Sequence, residues 1–109
     1  MAKLEKTFVG TDFDSLLRQI EKGILGGSVS ATLEDSSDFR GCDSRCSVRV
    51  FERYSWSGNN RVSMNVTLYQ TGKTIHLCAI TSGGSQATFF KINTLGEETF
   101  LDTLKNILP

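Results

Sequence analysis

The residues with the clearest chemical potential are one histidine and three cysteines. By type, Cys42, Cys46, His76 and Cys78 could supply a Cys3His zinc site. Structural zinc sites usually pair their cysteines at shorter spacing around tight turns. Strand alternation also predicts Cys46 on a buried sheet face and His76 with Cys78 on the opposite face. We therefore predict no metal and no cofactor, and three reduced thiols, because an odd number of cysteines forms no disulfide framework.

Catalytic and nucleotide-binding patterns are incomplete. His76 is the only histidine, so any histidine-based acid or base would be this residue. A hydrolase nucleophile would need Gly-x-Ser-x-Gly, which the Ser-Gly-Gly-Ser-Gln run at 82–86 does not supply. Residues 71–74, Thr-Gly-Lys-Thr, end like a phosphate-binding loop, but Thr67 stands where the first glycine is needed. The sequence predicts that the protein is not an enzyme.

A possible ligand site lies in residues 81–92, which leave a predicted strand, cross a glycine-serine turn and become apolar. Free N–H groups in such a turn can surround an anion, and Gln86 adds two donors. The alternative is a plain loop that turns two phenylalanines into the core. We predict a small or elongated ligand between helices and sheet, with apolar walls and a polar end. The site residues are Tyr54, Trp56, Ser82, Gly83, Gly84, Ser85, Gln86, Phe89 and Phe90.

Length and composition limit the classes of protein to which the chain can belong. With 109 residues, 12 basic and 12 acidic side chains and no net charge, the chain suits a single domain and lacks the basic excess of a nucleic-acid-binding protein. The first ten residues contain no apolar run of signal-peptide length, and no segment has the run of about 18 apolar residues that suggests a membrane span. We expect a cytoplasmic protein that contacts neither nucleic acid nor membrane.

The first half of the chain predicts a strand, a helix and two further strands. Residues 2–9 alternate with Leu4 and Phe8 on one face. An amphipathic helix is predicted over 12–25, capped by Thr11 or Asp12 and closed by Gly26-Gly27 in a left-handed conformation. Strands are expected over 28–34 and 46–56, separated by a polar loop at 35–43. In the second of them the even positions, from Cys46 to Trp56, are expected to face the core.

The second half predicts two more strands and a final helix. Residues 61–70 and 74–81 alternate cleanly, and turns are expected at 57–60 and at Thr71-Gly72. Residues 89–92 form either a short extra strand or irregular core packing. A capping box at Thr94 and Glu97 predicts the start of a helix over 97–108, whose length of about 18 Å is short for covering a large cavity. The fold class is α+β, in the order β-α-β-β-β-β-α, with an antiparallel sheet and both helices on one face.

Four stretches carry a resemblance: residues 31–38, 50–54, 60–67 and 80–86. With them, nearly the whole chain is similar to a family of small uncharacterised bacterial proteins, a domain of unknown function from Gram-positive bacteria. The element order also resembles the fold of the TATA-binding-protein repeats and, in enlarged form, of helix-grip lipid-binding proteins. The resemblance implies a fold, but it implies no activity and no site residues.

The predicted outer face of the sheet mixes arginine with aromatic and polar side chains, as protein interfaces do. We therefore expect a homo-oligomer that assembles through this face or through an edge strand. Two functions remain open: a module that binds a ligand at 81–92, or an interaction module that has no ligand. The outer-face residues are Arg49, Phe51, Arg53, Arg61, Asn65, Tyr69, His76 and Ile80.

Overall fold

A computed structural model describes residues 1–54, 61–83 and 90–109, with only the backbone described at 90–95. The elements in chain order are β1 (Ala2–Val9), α1 (Phe13–Gly26), β2 (Thr32–Arg40), β3 (Ser44–Tyr54), β4 (Arg61–Thr71), β5 (Thr74–Gly83) and α2 (Phe90–Lys105). The five strands form one antiparallel sheet in the order β1-β5-β4-β3-β2. The predicted α+β class and element order are confirmed.

The core lies between one face of the sheet and the two helices. Alternate residues of β4 and β5 point into it, as predicted, because strand side chains alternate between faces. The largest fully buried side chains are Leu16, Ile20, Ile24, Phe51, Val62, Met64, Val66, Leu68, Ile75, Leu77, Phe100 and Leu104. They belong to a single cluster to which both helices contribute.

Helix α1 begins and packs as its sequence predicts, but it ends differently. The carboxylate of Asp12 accepts a hydrogen bond from the backbone N–H of Ser15 at 2.9 Å, which makes Asp12 the N-cap. At the other end, Gly27 has a φ of −85°, so the predicted left-handed closure is wrong. A Cβ at Gly27 would lie 2.6 Å from a methyl of Thr103, and one at Gly23 would overlap the side chain of Ile107. These glycines allow α1 and the C-terminal part of the chain to approach closely.

The predicted faces of β3 are reversed. Phe51 is fully buried, and Ser47 and Arg49 are nearly so, so the odd positions face the helices. Arg49 pairs with Val66 of β4 across the ladder, and Val66 belongs to the core. Cys46 and the other even positions therefore lie on the outer face, and Arg49, Phe51 and Arg53 do not. Partners on α1 and α2, described below, make the arginines possible at this face.

The polar run predicted as a loop is mostly strand. β2 extends to Arg40 and is exposed along its whole length. Val29, which lies in the strand predicted over 28–34, precedes β2 and is fully exposed. Backbone pairing with β3 holds this edge strand in place, so no apolar face is needed. The register shifts between Leu33 and Asp35, which is typical of a β-bulge.

Helix α2 begins earlier than predicted. It starts at Phe90 and includes Thr94, so the prediction of an extra strand or irregular packing at 89–92 is wrong from residue 90 onward. Its 16 residues give a length of about 24 Å rather than about 18 Å. Glu97 has no capping role here, because its carboxylate binds other groups. In the described part of the chain, neither helix is long and apolar enough to cross a membrane.

Candidate functional site

The predicted ligand site is only partly covered by the described residues. Trp56, Gly84, Ser85, Gln86 and Phe89, together with the Phe90 side chain and the predicted turn at 57–60, lie outside them. Among the remaining site residues, Tyr54 is 55% exposed. Tyr54 and Ser82 each follow a residue that faces the helices, so their side chains lie on the outer face of the sheet. They therefore do not line the space between helices and sheet, contrary to the prediction.

Gly83 is the last residue of β5 and not part of a turn that follows the strand, as the sequence had predicted for it. Its backbone N–H donates to Oε2 of Glu97 at 2.6 Å, while Oε1 of the same buried carboxylate accepts from the ammonium of Met1 at 2.6 Å. The hydroxyl of Thr81, which is fully buried, donates to the backbone carbonyl of Glu97 at 3.1 Å. These bonds fix α2 onto β5, which is a structural role.

The described part of the layer between helices and sheet is filled by side chains. Nine of its apolar residues have no exposed surface, Phe51 and Phe100 among them. The surface grooves lie elsewhere, for example between Ala2 and Leu101 and beside Thr7. Within the residues described, the layer thus leaves no room for an elongated ligand.

The helix-covered face of β3 contains three arginines, Arg45, Arg49 and Arg53, separated by Ser47 and Phe51. Carboxylates neutralise the first two arginines. Arg45 makes two hydrogen bonds to Asp14 of α1, at 2.9 and 3.2 Å. Arg49 binds Glu21 of α1 at 2.9 Å and Asp38 of β2 at 3.1 Å. The ion pairs fasten α1 and β2 to β3.

The ion pairs also shift the pKa values of their carboxyl groups. Hydrogen bonding to Arg45 lowers the pKa of Asp14. The hydroxyl of Ser47, followed by the guanidinium of Arg49, lowers the pKa of Asp38. Both effects arise because the donors stabilise the ionised carboxylate.

Arg53, the third arginine, was missed as a candidate because its expected face was wrong. Its guanidinium carbon lies 4.5 Å from the ring centre of Phe100, and its Nη1 donates to the hydroxyl of Thr103 at 3.3 Å. Burial lowers the pKa of this guanidinium. Phe51, a large apolar residue at an odd position, was the sequence signal that could have corrected the face.

The outer face of the sheet is not covered by either helix. We define the open face as nine outward side chains of the central strands β3, β4 and β5, namely three successive outward residues of β3 and the residues paired with them on β4 and β5. They are Cys46, Val48, Val50, Asn65, Thr67, Tyr69, His76, Cys78 and Ile80. Tyr69 stacks with His76 at a ring separation of 6.3 Å. The Nδ1 atom of His76 lies 3.4 Å from the hydroxyl of Thr7.

The open face brings together residues that the sequence had assigned to opposite faces. Cys46 shares it with His76 and Cys78, so the argument from faces against a shared metal site was wrong. Over the described ranges, however, no three His, Cys, Asp or Glu side chains form a group that could hold a metal ion. All three cysteines are free thiols. The face therefore offers apolar and neutral polar contacts, which suit binding to a surface.

Comparisons with known proteins identify a family but no function. A family model described as a family of unknown function (DUF6054) matches residues 1–109. A search among curated proteins finds no match. The family resemblance seen in the sequence is confirmed, whereas the likeness to TATA-binding-protein repeats and the bacterial source stay predictions. The chain therefore belongs, over its whole sequence, to the family of unknown function DUF6054.

Proposed function

We propose that this domain is a non-enzymatic interaction module whose open face binds the open face of a second copy. The single observation that carries the proposal is a five-stranded sheet with helices on one face only. A ligand held between helices and sheet is less well supported, because the described core is filled. Three free thiols fit a reducing compartment such as the cytoplasm.

The composition of the open face supports association. Its nine residues include no lysine, arginine, aspartate or glutamate, and Val48 and Val50 near its centre are only half-buried in the monomer. Charged groups lie at its margins, as with Glu5 on β1 and Asp35 on β2. Interfaces commonly combine an uncharged centre with a polar rim.

The size of the sheet is sufficient for a stable dimer. Five strands spaced by about 4.8 Å, each about ten residues long at about 3.4 Å per residue, present an outer side of about 800 Å², with the open face at its centre. A standard protein interface buries about 800 Å² on each partner. Two such faces can stack about 10 Å apart, as the sheets of a β-sandwich do.

The edge strand β2 is a poorer surface for assembly. The bulge between Leu33 and Asp35 interrupts its periodicity, and the carboxylate of Asp35 would repel the same group of a second β2. Bulges and charges of this kind protect sheet edges from pairing. This favours association through the open face.

The mass of the protein in solution tests the proposal. We expect light scattering at tens of micromolar to give about twice the 12.0 kDa of one chain, since most homo-oligomers are two-fold symmetric. Val48→Glu places a charge at the centre of the open face and should give the monomer mass. Val29→Glu is the matched control, because Val29 is fully exposed outside the sheet, and it should keep the dimer.

Two results would reject the proposal. A monomeric wild-type protein at these concentrations would show that the open face does not self-associate. A dimer that survives Val48→Glu would show that the copies meet through another surface. A circular dichroism spectrum for each variant separates loss of the dimer from loss of the fold.

A further inference from the structure

Arg53 is a half-buried cation that has no carboxylate partner in this chain. No Asp or Glu among the described residues lies within ion-pair distance of it. The ranges 55–60 and 84–89 and the side chains of 90–95 include no acidic residue at all. The other arginines of this face, Arg45 and Arg49, both pair with carboxylates. Arg53 is therefore an exception on its own strand.

A desolvated charge is costly unless an opposite charge or several hydrogen bonds compensate it. A guanidinium has five N–H donors, and in the described structure one hydrogen bond from Arg53 is formed, to Thr103. The ring of Phe100 contacts the guanidinium without supplying a hydrogen-bond acceptor. Among the described residues, the remaining N–H groups of Arg53 have no hydrogen-bond acceptor, and they are open to solvent.

We propose that Arg53 binds a small oxyanion, a carboxylate or a phosphate group, between the ends of β3 and α2. Phe100 and Thr103 hold the guanidinium in a fixed orientation, and its planar set of N–H groups matches two oxygens of either anion. Arg53 pairs with Val62, which in turn pairs with Gly83, so the site lies beside the end of β5. It is on the helix-covered side of the sheet and is independent of the open face.

The site differs from that of an ordinary surface arginine. Arg18 is exposed and is bonded to the hydroxyl of Ser15, so water can hydrate its charge. At Arg53 burial removes part of that hydration, and an oxyanion gains more there than it would at the surface. This contrast makes Arg18 a suitable control.

Titration with inorganic phosphate and with acetate tests the proposal, at an ionic strength held constant with chloride. The Nε–H signals of the arginines are followed by NMR, and the affinities are measured by calorimetry. We expect one saturable site that shifts the Arg53 signal, and an affinity at least tenfold weaker in Arg53→Gln. Arg53→Lys keeps the charge without the paired donors and should weaken binding less. Arg18→Gln removes the same charge elsewhere and should leave the affinity unchanged.

The two probes distinguish the source of the oxyanion. Saturation by phosphate alone indicates a phosphorylated ligand, and saturation by acetate alone indicates a carboxylate ligand. Absence of saturation with both probes would overturn the proposal. An equal loss of affinity in Arg53→Gln and Arg18→Gln would also overturn it, because it would indicate general charge attraction. If Arg53→Gln does not fold, the lysine variant makes the same comparison.

Discussion

Replacing Arg49 by methionine tests whether a buried arginine holds three elements together. Methionine retains the apolar stem but removes every hydrogen bond of the guanidinium. Those bonds reach Glu21 on α1 and Asp38 on β2, and the carbonyls of Ser37 and Val48 at 3.3 and 3.0 Å. We therefore expect a lower free energy of unfolding.

The magnitude follows from the exposure of the two carboxylates. Removing one partner of a fully buried ion pair costs about 3–5 kcal/mol. Arg49 is buried, but the side chains of Glu21 and Asp38 are 28% and 56% exposed, so water can hydrate them after the substitution. We expect a loss of about 2–3 kcal/mol. For a chain of this length that corresponds to a fall in Tm of about 9–13 °C.

Urea unfolding followed by circular dichroism measures this loss. Protein concentration must be equal in all samples, because association would add stability that depends on concentration. Arg18→Met is the control, since Arg18 is exposed, and it should change stability by less than about 0.5 kcal/mol.

The dependence on pH gives a second check. Because the folded pKa of Asp38 is lowered, its contribution to stability is present above the unfolded value of about 3.9 and disappears as pH falls through the folded value. After the hydroxyl of Ser47, the guanidinium of Arg49 supplies the rest of this lowering, so the difference between wild type and Arg49→Met should be largest at neutral pH and narrow below about pH 4. A loss below about 0.5 kcal/mol at neutral pH would refute the reasoning, as would a difference that stays constant into acid.

Three further predictions concern packing and acid stability. Gly23→Ala should lower the free energy of unfolding by about 1 kcal/mol, because the added methyl meets Ile107. Gly26→Ala has open space around it and should raise the free energy of unfolding by about 0.5 kcal/mol. Thermal unfolding compares the two variants. Thr81→Val should cost about 1–2 kcal/mol in urea unfolding, because the backbone carbonyl of Glu97 loses the hydroxyl that donates to it. Asp14→Asn should make stability fall less steeply between pH 5 and 2, because the lowered pKa of Asp14 is removed; a slope unchanged from wild type would contradict this.

The sequence predicts the elements whose hydrophobic pattern determines their packing. In α1, β4 and β5 the buried side chains follow the expected periodicity, as Ile20, Val66 and Leu77 illustrate. Each of these elements has one strongly apolar face and one polar face. Local pattern and tertiary packing agree there, and the prediction is correct.

The predictions fail where tertiary partners outweigh the local pattern. In β3, Val48 and Val50 are more hydrophobic than Arg49, yet Arg49 faces the core because Glu21 and Asp38 neutralise it. Those carboxylates belong to elements distant in sequence, and alternation within one strand contains no information about them. Arg53 was assigned to the wrong face by the same alternation, and its contacts Phe100 and Thr103 are also distant in sequence.

Other errors arise where backbone contacts decide the structure. The polar sequence of β2 lacks an apolar face, and its strand depends on hydrogen bonding to β3. At α2 the capping-box spacing was present, but Glu97 is bound to Gly83 instead. The polar groups of a short motif can form hydrogen bonds with other parts of the folded chain instead of the bonds that the motif predicts.

The position of β1 in the sheet has a consequence for how the chain folds. Strands β2 to β5 form a meander of sequential neighbours, whereas β1 pairs with β5 at the opposite edge. Val9 meets Thr74 across the whole intervening chain, while Thr71 meets Thr74 across a two-residue turn. Loop-closure entropy makes the first pairing about 3 kcal/mol more costly. The meander can therefore form from local contacts, and β1 joins last and completes the sheet.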